Sequence, residues 1–156
     1  MIQRIQTVFL LVSLISAVLI FFFPIAWYYG ELNTIAFYLH QLKDSVPDSK
    51  PLYNEFFLYP LILLDLSLAG ASLYAIMAYR SLTKQLKVIK FGILASIILI
   101  AALFFYYADH ISKTVQATAD YEFGVFLPLI SLVFFLLASR SVQRDIKLIR
   151  SVDRLR

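Results

Sequence analysis

Asp65 is the residue whose surroundings most need a chemical account. It lies within FFLYPLILLDLSLAGASLYAIMAY (56–79), an apolar run long enough to cross a bilayer, and it is the one charged side chain well inside such a run. At about 1.5 Å per residue it sits roughly 14 Å from the start of that run, close to a bilayer midplane. A charge at that depth costs about 2.5 kcal/mol or more, so the side chain is expected to face a protein interior. The hydroxyls expected at the same depth are those of Ser131, Ser96 and Ser16, and no Lys or Arg shares it. Asp65 is therefore expected to be neutral at rest and to exchange hydrogen bonds with those serines. Such a group serves as a polar pin between helices, as a proton or cation site, or as a contact with another subunit.

Other chemistry finds little support. His40 and His110 stand in polar connections beside Asp44 and Asp109, but two histidines with scattered acids lack the spacing of a metal site, and solvated histidines are expected. Intramembrane aspartyl proteolysis needs two carboxylates at one depth, whereas Asp109 lies at a boundary and Asp65 lies deep. There is no nucleophile elbow, no phosphate-cradling glycine loop and no HExxH helix. The absence of cysteine removes thiol chemistry. No catalytic residue, metal or cofactor is expected.

The elements that position Asp65 follow from composition. The chain has 156 residues, of which 61% are hydrophobic and 16% aromatic, with a mean hydropathy of +0.79. That is far above the roughly 45–50% apolar content of a soluble domain. The expectation is a single all-α integral membrane domain, an up-down-up-down four-helix bundle with spans at about 7–28, 56–79, 88–107 and 123–139. The first run is too long for the roughly 7–15-residue core of a signal peptide, and no small-x-small site follows it. Its end, FFFPIAWYY, reads as an aromatic belt.

Between the first two runs, Leu32, Ile35, Ala36, Leu39 and Leu42 recur every three or four residues, which predicts a short helix lying on the bilayer surface. Pro47 and Pro51 then make the segment irregular. This long connection is the expected binding surface on its side. Residues 140–156 are expected to continue the fourth helix as a basic amphipathic extension, with Val142, Ile146, Ile149 and Val152 on one stripe.

Charge sets the expected orientation. Arg4, the connection carrying Arg80, Lys84, Lys87 and Lys90, and the tail with Arg140, Arg144, Lys147, Arg150 and Arg154 fall on one side. The opposite connections hold only Lys43, Lys50 and Lys113 of the 14 Lys and Arg residues. By the positive-inside rule both termini are cytoplasmic. The basic surface is expected to meet anionic lipids, at about 1 kcal/mol per cation. With no aromatic residues interleaved among the cations, nucleic acid is excluded as a partner. A membrane-protein partner on the apolar stripe of the tail is the alternative.

Small residues predict helix packing. Ala69 and Ser72 lie on the Asp65 stripe, and Ser67, Ala71 and Ala75 with Gly92 and Ser96 form small-xxx-small patterns that pair the second and third spans closely.

The opening MIQRIQTVFLL and the closing IRSVDRLR, with the number and spacing of the spans, resemble an uncharacterised family of four-span inner-membrane proteins of Bacteroidota, classified only as a domain of unknown function. The resemblance covers essentially the whole chain, its middle matching mainly by hydropathy. It implies fold and location and carries no chemical role to any residue. Two functional classes follow: a non-catalytic accessory or scaffold subunit of an inner-membrane assembly, and a small transporter or ion- or proton-coupling subunit using Asp65.

Overall fold

The computed structural model describes residues 5–30, 34–44 and 55–153. Arg4, Leu32, Pro47, Pro51 and Arg154 of the sequence reading lie outside them.

Helix α1 (Ile5–Leu19) buries Gln6, Leu10, Ser13, Ser16 and Ala17 along one stripe. It stops well short of Tyr28. Pro24 lacks an N–H and biases the residue before it toward extended backbone, and the turns at Phe21 and Phe22 tighten onto the carbonyls of Val18 and Leu19. The aromatic stretch beyond Pro24 becomes strand β1 (Ala26–Tyr29). Trp27, Tyr28 and Tyr29 thus belong to a sheet, and Tyr28 is fully buried.

The expected surface helix is absent from its described residues. Thr34–Phe37 form β2 and Leu42–Asp44 form β3, joined by a turn in which Tyr38 N donates to Gln41 O at 2.9 Å. A fourth strand, β4 (Ala119–Tyr121), comes from the other connection on the same side. Together they make an antiparallel sheet of order β3-β2-β1-β4. The all-α expectation therefore holds for the bulk of the chain and fails at this end. The spacing of Ile35, Ala36 and Leu39 fits a helix locally, but Ile35 and Ala36 pair with β1, and all three side chains are buried.

Helix α2 (Tyr59–Met77) begins with Pro60 in its first turn and buries Leu61, Asp65, Leu68, Ala71, Ser72 and Ala75. A single 3-10 turn, Ala78–Arg80, and extended Ser81 reverse the chain into α3 (Leu82–Ala101). The basic segment expected as a connection is thus mostly helix, with Lys84, Lys87 and Lys90 in the first turns of α3. A π-helical stretch, Ala102–Ala108, links α3 to α4 (Asp109–Val115). Left-handed Gln116, at φ 55°, ends that helix and turns the chain into β4. Helix α5 (Phe126–Asp153) then runs for 28 residues, about 42 Å, without interruption.

Helices α1, α2, α3 and α5 pack in a ring, α1 on α2, α2 on α3, α3 on α5 and α5 on α1. Gln6 at the start of α1 reaches Gln85 at the start of α3, and Gln85 reaches Ala75 at the end of α2, so α2 runs against its neighbours. The contacts of Ser13 with Ser131 and of Phe9 with Phe134 set α5 against α1. The sheet covers one end of the ring, where the Tyr28 hydroxyl donates to Ala108 O at 3.4 Å. The α2–α3 turn marks the other, which we term the hairpin end.

Three helical stretches, Phe56–Arg80, Leu82–Val115 and Phe123–Ile149, are long and apolar enough to cross a membrane, and α1 is a shorter apolar helix. Their outward faces carry bare apolar side chains such as Leu63, Met77, Leu94 and Phe105.

Candidate functional site

The interior of the helix ring holds the polar groups that need an account. Asp65 is 2% exposed, and its Oδ2 has no hydrogen-bond partner. Leu61, Leu68 and Ser72 share its stripe on α2, which turns the carboxyl inward because that stripe is the face packed against α1 and α3. No Lys, Arg or His is buried among the described residues.

The serines expected to partner Asp65 spend their hydroxyls elsewhere. Ser16 donates to Val12 O at 3.0 Å and Ser96 to Gly92 O at 2.8 Å, each back to its own helix. Ser131 pairs with Ser13 at 2.7 Å, and Ser72 donates to Ser13 at 3.4 Å. The resulting cluster joins α1, α2 and α5, and it lies on the hairpin side of Asp65. Among the described residues no Lys, Arg or His is buried with these hydroxyls, and their hydrogen bonds tie the three helices together.

A second polar group closes the hairpin end. Gln6 Nε2 donates to Gln85 Oε1 at 3.4 Å, and Gln85 Nε2 donates to Ala75 O at 3.0 Å. Both side chains are fully buried, and Gln6 Oε1 has no partner. The sequence reading missed Gln6, Gln85 and Ser13. A signal was present for two of them: Gln6 and Ser13 stand seven residues apart on one face of α1, flanking Leu10, so one helical stripe carries both inward.

Two of the small residues, Ala75 and Gly92, lie at helix contacts, Gly92 with a partner other than the expected one. Ala71 and Ala75 are buried while Ala69 is half-buried, and Gln85 bonds Ala75 where α2 meets α3. Gly92, however, makes room for α5: a Cβ there would lie 2.5 Å from the Phe135 ring. Arg80, Lys84, Lys87, Lys90, Arg140, Arg144 and Lys147 are all exposed at or beyond the hairpin end. Arg80 Nε donates to the Tyr79 hydroxyl at 3.1 Å. The side chain of Arg150 lies outside the described residues. Of the tail stripe, Val142 is buried and Ile146 packs on the core, whereas Ile149 is exposed, so its first half belongs to the bundle.

The histidines are exposed. His40 lies against Phe21 and Tyr38, at 6.2 and 6.0 Å between centroids, and His110 stacks on Tyr106 at 6.0 Å. Among the described residues no three His, Asp or Glu side chains gather as a metal site requires.

Residues 2–155 match the family model described as Domain of unknown function (DUF4293). No curated protein and no solved structure matches the chain.

Proposed function

We propose, for a chain that belongs to the DUF4293 family of unknown function, a four-span integral protein of a Bacteroidota inner membrane, with both termini cytoplasmic, acting as a non-catalytic accessory or scaffold subunit. The observation that carries this reading is the sheet. Two connections more than seventy residues apart in sequence fold into one sheet at the end opposite the cations of the hairpin end. Register lays Lys43, Ala36, Trp27 and Asp120 in a row across the four strands, on the face turned away from Tyr28, with Lys43 and Asp120 exposed, Trp27 half-buried and Ala36 buried between its neighbours. Loops alone would leave this surface to be ordered at each encounter, whereas a sheet presents it ready-made.

The exposed apolar faces of the helices support burial in lipid or against another membrane protein. The cations at the hairpin end support a cytoplasmic location for that end and contact with anionic lipid. With α1 included, the four helices give the four spans. At 15 residues, or about 22 Å, α1 reaches across most of the hydrocarbon core, and the buried strand end that follows it completes the crossing inside protein.

Affinity purification in mild detergent tests the assignment. A stoichiometric membrane-protein partner, lost when Trp27→Ala and Asp120→Lys are combined, is the expected result. A protein that purifies alone and supports pH-dependent ion flux across liposomes would replace the scaffold reading with an ion-coupling one.

A further inference from the structure

The buried polar groups are distributed to one side. Ser16 and Ser96 stand at about the level of Asp65, and from there toward the hairpin end the interior holds the Ser13, Ser72 and Ser131 cluster, Ser139 and the Gln6–Gln85 pair. From Asp65 toward the sheet the buried residues are Leu61, Leu58, Ile20, Ile25, Phe37 and Leu103 with their neighbours. The buried hydroxyls at that end, on Tyr28 and Tyr107, donate to the backbone carbonyls of Ala108 and Phe57. Among the described residues the buried side-chain oxygens without partners are Asp65 Oδ2 and Gln6 Oε1, which stand toward opposite ends of the polar half.

We propose that Asp65 is a reversibly protonated site reached from the hairpin end alone, through the Gln6–Gln85 pair and the Ser13, Ser72 and Ser131 cluster. A divalent cation is a poor occupant, because Ca²⁺ or Mg²⁺ needs six or more oxygen ligands and the buried hydroxyls of Ser13, Ser16, Ser72, Ser96 and Ser131 are bonded to one another and to helix carbonyls. A proton needs only one carboxylate oxygen. Hydronium at the hairpin end gives up its proton, an O–H bond forms on the carboxylate, and water is left; deprotonation reverses the step.

The layers stand seven residues apart on α1 and on α2, about 10 Å. Hydroxyls hand a proton over that distance only with water between them, and Gln6 Oε1 and Asp65 Oδ2 are acceptors that such water satisfies. Among the described residues the interior between Asp65 and the sheet is lined by apolar side chains, with no matching series of polar side chains on that side. The site therefore senses the proton concentration on one side and does not conduct. Among the described residues the buried polar groups on the other helices of the ring are Gln6, Ser13 and Ser16 on α1, Gln85 and Ser96 on α3, and Ser131 and Ser139 on α5, and no Lys, Arg, His, Glu or second Asp is buried with Asp65 to compete for its titration. Protonation of Asp65 needs no partner protein.

Infrared spectroscopy of the full chain in lipid nanodiscs tests it. The expected result is a protonated-carboxyl band that vanishes in Asp65→Asn, shifts in Asp65→Glu and moves on transfer to D₂O. Its exchange is expected to slow severalfold in Gln6→Leu and to stay unchanged in Tyr28→Phe at the sheet end. Should Asp65→Asn fail to fold, the Asp65→Glu shift assigns the band. Absence of a band that responds to Asp65, a band that does not exchange, or slowing in Tyr28→Phe with none in Gln6→Leu would each overturn the proposal.

Discussion

Phe135 occupies the space that Gly92 leaves on α3, so closely that a single added carbon on Gly92 would lie 2.5 Å from its ring. The fit joins α3 to α5 and makes glycine there a matter of volume rather than of backbone conformation. Gly92→Ala is expected to lower stability by about 1–3 kcal/mol through overpacking. Combining it with Phe135→Leu should recover much of the loss. Thermal unfolding in detergent checks both, and additive losses in the double variant would contradict the contact.

Asp65 carries a buried oxygen without a partner, a state that costs free energy in any interior. Asp65→Leu is therefore expected to leave thermal stability unchanged or higher. A substantial loss would mean that the carboxyl pins the helices.

The Gln85 amide serves two contacts and Gln6 one. Gln85→Leu strands both polar ends of Gln6 in the interior and is expected to cost about 1–3 kcal/mol. Gln6→Leu removes one orphaned oxygen while creating another on Gln85, so its effect should be smaller. The double variant, with no buried amide left, is expected to be more stable than Gln85→Leu alone, and a double-mutant cycle measures the coupling.

The pairing of β1 with β4 puts Trp27 opposite Asp120. Since the chain has no cysteine, Trp27→Cys with Asp120→Cys provides a clean report. Oxidation is expected to give an intramolecular disulfide within the monomer, read as a mobility change on a gel that reductant reverses. Failure to cross-link at this position, with Trp27→Cys and Ala36→Cys also failing, would dissolve the sheet.

Orientation is open to the same chemistry. Lys43→Cys on β3 is expected to react with a membrane-impermeant maleimide in spheroplasts, whereas Lys84→Cys should react only after the membrane is breached. The reverse pattern would invert the topology.

Much of this architecture was legible in the chain. Runs of apolar residues long enough to span a bilayer, cations segregated from them and a lone carboxylate within the second run are local properties, readable because helix rise and side-chain hydrophobicity need no partner to be known. The inward face of α2 was legible too, since Asp65 and Ser72 follow from one helical period. Only the tertiary structure decided that 26–29, 34–37, 42–44 and 119–121 form a sheet, because a strand's hydrogen bonds are completed by segments far away in the chain and a helical spacing can conceal it. It also decided that Ser131 meets Ser13 rather than Asp65, and that Phe135 rather than α2 fills the space at Gly92. Those contacts depend on the axial offset and rotation of one rigid helix against another. A shift of three residues, about 4.5 Å along the axis, exchanges Ser13 for Ser16 and changes which oxygen is left alone.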